Sequence, residues 1–233
     1  MSIIISKDTF KIIQYNNNIF SIEFATPSPA LIHSLVTTKL ILGATTTNDY
    51  QTVKFKAHSI KTLDQFQAGQ NPYTKKFSIK NAHVLTANLV TQLQYLLAEN
   101  NTIIGYNPEN IIVINEKTFA FLGNECVTQI DNEEIFISYP FSHRDFFVSP
   151  ELLKIKDLPS YTHYKTAYFS LACLVVYTLL GNNNFYYTYL QTHSNTLDII
   201  QNLDHHSIKH TKLYWLLSRC FITEPEKRTL LFI

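Results

Sequence analysis

The sequence predicts an α+β fold: a β-rich first third, then a mostly helical remainder interrupted by one hairpin. Three observations carry this. Up to residue 60 the chain is a series of β-branched and aromatic runs broken by turn residues. Residues 82–100 place Val84, Leu85, Leu89, Leu93, Leu96 and Leu97 at helical spacing. Residues 168–181, YFSLACLVVYTLLG, form the longest apolar stretch and read as a buried helix.

In order along the chain, residues 9–24 read as a hairpin around Asn16-Asn17-Asn18, and residues 25–29, ATPSP, end it. Residues 31–43 fit either a strand or a short helix, because their periodicity favours neither. Residues 52–60 alternate as a strand, and residues 67–74, QAGQNPYT, read as a loop handing over to the helical part. Residues 110–123 give a second hairpin around Asn115-Glu116-Lys117, and helical segments dominate after about residue 150.

Composition narrows the function classes. The 233 residues are 45% apolar and 16% charged, which suits a packed core and not a disordered tail. A formal charge of +1 lacks the basic excess of a nucleic-acid surface, so no nucleic-acid partner is expected. The only arginines are Arg144, Arg219 and Arg228, so bidentate phosphate recognition is scarce. Cys126, Cys173 and Cys220 are widely spaced, with no CxxC pair, and read as core residues in a reducing, intracellular setting. The N-terminal apolar run is too short for a signal peptide, and residues 168–181 are too few to span a bilayer. The expectation is an intracellular protein, cytoplasmic or virus-associated, with no membrane span.

Several motifs then fall in a telling order. Asn107-Pro108-Glu109-Asn110-Ile111-Ile112-Val113 follows the long helix and is similar to the "K-P-E-N-I-L-V" end of a protein-kinase catalytic loop. Ser149-Pro150-Glu151-Leu152-Leu153 resembles "A-P-E-L-L", and residues 163–174 resemble "Y-K-T-D-Y-W-S-L-G-C-L". Glu224-Pro225-Glu226-Lys227-Arg228-Thr229 resembles "D-P-E-K-R-P". From about residue 85 to its end the chain therefore resembles the protein-kinase family, and its composition resembles that of kinase-like proteins of nucleocytoplasmic giant viruses. The resemblance implies a two-lobe fold, with a reduced β-rich N-lobe over residues 1–75 and a helical C-lobe over residues 76–233.

The same resemblance implies that the chemistry is gone. Phosphoryl transfer needs an Asp at the substrate hydroxyl, an Asp on magnesium, an Asn on the second metal, a Lys on the phosphates and a glycine-rich cover. Counting from Asn110, the two Asp positions fall on Gly105 and Gly123, and the loop Lys is replaced by Asn107. Glycine can neither accept a proton nor hold a metal. Asn107, Pro108 and Asn110 thus read as a vestigial catalytic loop. The five glycines are too scattered to form a phosphate loop. Lys54 weakly resembles the phosphate-contacting Lys, yet neither Glu23 nor Glu99 is placed to pair with it and only Asp64 could substitute, so a solvated strand residue is the plainer reading. Glu151 and Arg228 match the family's buried structural ion pair, while Ala167 replaces the Asp that normally holds the catalytic loop.

Other candidates are weaker. The literal His143-Arg144-Asp145 has Pro150 where a catalytic loop needs Asn, and reads as a solvated turn. His205, His206 and His210 place two imidazoles four apart but have only Asp204 as a further donor, so a polar surface is expected. Phe146-Phe147 read as core; Phe185-Tyr186-Tyr187 fit core or partner surface equally. The resulting expectation is a pseudokinase with no cofactor and no metal, serving as a scaffold or protein-interaction module with a protein partner. The alternatives are an atypical protein kinase recruiting Asp131 or Glu125, and a nucleotide-binding regulator.

Overall fold

In the computed structural model, which describes residues 1–16, 18–140, 146–181 and 208–231, the chain is mixed α and β, as its sequence predicts. Strands β1 (Ser2–Ser6), β2 (Phe10–Asn16), β3 (Ile19–Phe24), β4 (Thr45–Thr46) and β5 (Thr52–Lys56) form an antiparallel sheet in the order β1-β2-β3-β5-β4. The period-two pattern directs Phe10, Ile12, Phe20, Ile22, Val53 and Phe55 into the core. Helix α1 (Pro29–Thr37) leaves this sheet after β3 and settles the ambiguity of residues 31–43. Pro29 stands in its first turn, where the missing N–H costs nothing, and Leu31, Ile32 and Leu35 form the buried stripe.

The first sheet ends at Lys56. Strand β6 (Ile60–Thr62) already belongs to a second sheet, pairing with β8 (Ile111–Ile114), which pairs in turn with β9 (Thr118–Phe121). Asn115, at the tip of the β8–β9 hairpin, accepts from the backbone N–H of His58 (2.6 Å) and Ser59 (3.2 Å), and so holds the connection between the sheets. Helix α2 (Leu63–Gln70) follows, so residues 67–70 are helical and the expected loop begins only at Asn71. A reciprocal cap explains the difference: Thr62 Oγ1 accepts from Gln65 N and Gln65 Oε1 from Thr62 N.

Helix α3 (Ile79–Ala98) starts three residues earlier than its apolar pattern suggests, because Ser78 caps it by accepting from Asn81 N. A third sheet runs β12 (Ser160–His163), β11 (Glu134–Ile137), β10 (Val127–Asp131), β7 (Asn101–Ile103). Three further helices complete the described residues: α4 (Pro150–Leu153), α5 (Thr166–Leu180) and α6 (Lys212–Cys220). Every residue of α5 from Thr166 to Leu179 is buried, as its mostly apolar character predicts. Among the described residues no helix is long and apolar enough to cross a membrane.

The β10–β11 hairpin closes on two residues, Asn132 and Glu133, both with positive φ (50° and 65°). This left-handed turn suits the strand twist but penalises a side chain such as Glu. Replacing Glu133 by Gly is expected to stabilise the protein by about 0.5–1 kcal/mol, read as a raised denaturation midpoint.

Candidate functional site

A cleft of about 590 Å³ lies between the β1–β2 turn and the loop that follows β7. Lys7, Asp8 and Thr9 line one side, Asn107, Glu109 and Asn110 the other, with Glu125 and Phe146 between them. The turn is tied across the cleft by an ion pair from Lys7 Nζ to Glu109 Oε2 at 2.5 Å. Asn124 Nδ2 donates to Thr26 Oγ1 at 3.0 Å, joining the segment after β9 to the segment after β3.

The loop at 105–110 is held by side chains and backbone together. Asn107 Oδ1 accepts from Glu109 N and starts the single 3-10 turn Pro108–Asn110. Tyr106 N donates to Ser170 Oγ on α5 at 2.7 Å, and Tyr106 O accepts from Phe147 N. Ala167, where the resemblance calls for a loop-holding Asp, is fully buried and has no polar side chain to offer. Ser170, one turn further along α5, holds the loop instead. Burial drives the Tyr106 phenol far above its ordinary range, and its ring edge packs on Phe121.

Gly105 and Gly123 are both sites of close approach. A β-carbon on Gly105 would fall 1.9 Å from Phe146 Cδ2, so the Phe146 ring occupies the space a side chain at 105 would need. A β-carbon on Gly123 would fall 2.5 Å from both Asn110 Nδ2 and Phe121 Cζ. Asn110 itself is buried, and its Nδ2 donates to Glu125 Oε1 at 2.6 Å. Glu125 therefore reaches the loop, whereas Asp131 sits exposed at the end of β10 and does not line the cleft.

The remaining candidates separate clearly. Lys54 lies exposed on β5 with its ammonium 5.0 Å from the Tyr15 ring centroid, outside the cleft. Glu23 is opposite Lys11 in the sheet, and Asp64 pairs with Lys75 at 2.6 Å. Phe146 and Phe147 are buried, as expected of core residues. All three cysteines are buried and unbridged; burial pushes the Cys220 thiol up to about 12 and the Cys173 thiol well above its ordinary range, so neither is poised as a nucleophile. His143-Arg144-Asp145, Phe185-Tyr186-Tyr187, Asp204, His205 and His206 lie outside the described residues. Among the described residues no cluster of His, Cys, Asp and Glu is arranged to hold a metal.

Glu151 and Arg228 do form a buried, two-pronged ion pair. Arg228 Nη1 and Nη2 donate to Glu151 Oε1 and Oε2 at 2.5 and 2.8 Å, and the guanidinium is fully enclosed. Sequence reasoning missed Lys7, Ser170 and the plug formed by Phe146. Only Ser170 left a trace, as one of the few polar residues inside a mostly apolar helix. No protein-family model and no curated protein matches the chain.

Glu151→Ala is expected to cost about 3–5 kcal/mol in denaturant unfolding, because it leaves a buried guanidinium without its counter-charge. Gly105→Ala should cost about 1–3 kcal/mol through overpacking against Phe146. In a double-mutant cycle with Phe146→Ala, the combined loss should fall short of the sum of the single losses.

Proposed function

We propose that this chain is a catalytically inactive, protein-kinase-like protein that works as a scaffold or protein-interaction module in an intracellular setting. The observation that carries the reading is the plug at Gly105. The position where the resemblance calls for a proton-accepting Asp has no side chain, and its space is filled by the Phe146 ring. A substrate hydroxyl brought there would meet a hydrocarbon face and no base. Gly123, the position for the metal-binding Asp, is hemmed in by Asn110 and Phe121 in the same way. The Glu151–Arg228 pair and the fully buried α5 support the complementary half of the proposal, a framework kept for its shape.

One observation favours a second reading, an atypical phosphotransferase. Glu125 stands against Asn110 at 2.6 Å and could supply a carboxylate from a different point in the chain. Its single contact with Asn110 gives it no partner acid, and the described cleft lining sets three carboxylates against one lysine. That charge disfavours the phosphates of a nucleotide, which also counts against a nucleotide-binding regulator.

Two measurements test the proposal. With millimolar ATP and magnesium the thermal midpoint should not move, whereas a ligand at a hundredfold excess over its Kd would add about 2.7 kcal/mol. Radiolabelled ATP should transfer no phosphate to the protein itself or to a generic protein substrate. Transfer that disappears in Glu125→Ala would overturn the proposal and establish the atypical enzyme.

A further inference from the structure

Two features of the cleft have no part in the plug at Gly105. The first is charge. Asp8, Glu109 and Glu125 line the cleft with Lys7 as the one cation of the described lining. Lys7 is already taken by Glu109, and Glu125 gives one oxygen to the Asn110 amide. The Asp8 carboxylate has no hydrogen bond or ion pair among the described residues, and Glu125 has none besides Asn110. Two carboxylates therefore remain open to a positive group from outside.

The second feature is an exposed aromatic strip that runs into the cleft. Phe136 on β11 and Tyr161 on β12 stand directly opposite one another on the solvent face, rings 5.3 Å apart, and are 48% and 62% exposed. Tyr139 is 80% exposed and, like Phe136, also lines the cleft. From Tyr139 and Pro140 the surface continues into a second hollow walled by Leu152, Ile155 and Leu158. A continuous aromatic and aliphatic strip of this kind marks an interaction surface more often than bare solvent contact.

We propose that the cleft and the strip together dock an extended segment of a partner protein that carries arginine between apolar residues. The guanidinium meets a carboxylate with two parallel N–H donors and lies flat on an aromatic face, so Asp8, Glu125 and the rings of Phe136 and Tyr139 suit one side-chain type. Apolar neighbours in the segment cover the strip towards Leu158. An acidic or phosphorylated segment meets repulsion in the cleft. This inference rests on the scaffold reading and gives its partner a chemistry.

The test is fluorescence anisotropy of the full chain with a labelled peptide of alternating arginine and leucine at low salt. A second peptide carries citrulline, the neutral near-isostere, at each arginine. Saturable binding is expected, weakened about tenfold by citrulline and about tenfold by the combined Asp8→Asn and Glu125→Gln exchange. Phe136→Ser, on the solvent face, should weaken it as well. Thermal midpoints of all variants should match the parent, which separates lost binding from lost folding. Absence of saturable binding, or binding that ignores both citrulline and the Asp8/Glu125 exchange, overturns the inference. Phosphate transfer measured on the same preparations separates the two ideas. Transfer defeats the scaffold reading whatever the peptide does, while no transfer and no peptide binding defeats the docking inference alone.

Discussion

The architecture of the second half depends on satisfying one enclosed guanidinium. Arg228 is cut off from water, so each of its five N–H donors must find an acceptor inside the protein. It does so completely. Nε donates to Ile222 O, Nη1 to Glu151 and Lys165 O, and Nη2 to Glu151 and Thr223 O. Phe169 closes one face, its ring centroid 5.2 Å from the guanidinium carbon. The acceptors come from α4, the residue before α5 and the segment after α6, so these elements are fixed relative to one another by a single side chain. Through α5 the constraint reaches the cleft, because Ser170 on that helix holds the backbone of Tyr106.

The strand that leads to Gly123 is positioned by a match of periods. Asn88 and Gln92 on α3 are four residues apart, and they bond the backbone of Phe119 and Phe121 on β9, two residues apart. Four residues of helix rise about 6.0 Å and two of antiparallel strand about 6.8 Å, so the helix presents side chains at nearly the strand's own repeat. Gln92 uses both ends of its amide on Phe121 and reaches Ser34 on α1 as well. The strand leading to Gly123 is thereby clamped along its length, which helps fix where Gly123 meets Asn110.

What could be read from the chain alone follows from which signals are local. The first hairpin, the long helix, the β8–β9 hairpin and the buried α5 each declare themselves by period and composition within one window. The ion pair of Glu151 and Arg228 was legible only through resemblance, since nothing local links residues so far apart. The third sheet was not legible. Its strands are short, β10 alternates weakly, and its tight turn uses Asn132-Glu133 where a glycine would have announced it. Helix α2 was missed because its signal is a cap, not an apolar stripe. At the cleft, the glycines at 105 and 123 were visible in the sequence, but the ring that packs on the first lies some forty residues further along and only the fold brings it there.

The contact between Gly105 and Phe146 also imposes an order on change. Any side chain introduced at 105 while the ring is in place collides with it, and shrinking Phe146 first opens a hole in a packed region. Each path from the present pair to one with a functional group at 105 begins with a step that loses stability before anything is gained. The glycine and the phenylalanine thus act as a ratchet: the packed pair resists change one substitution at a time.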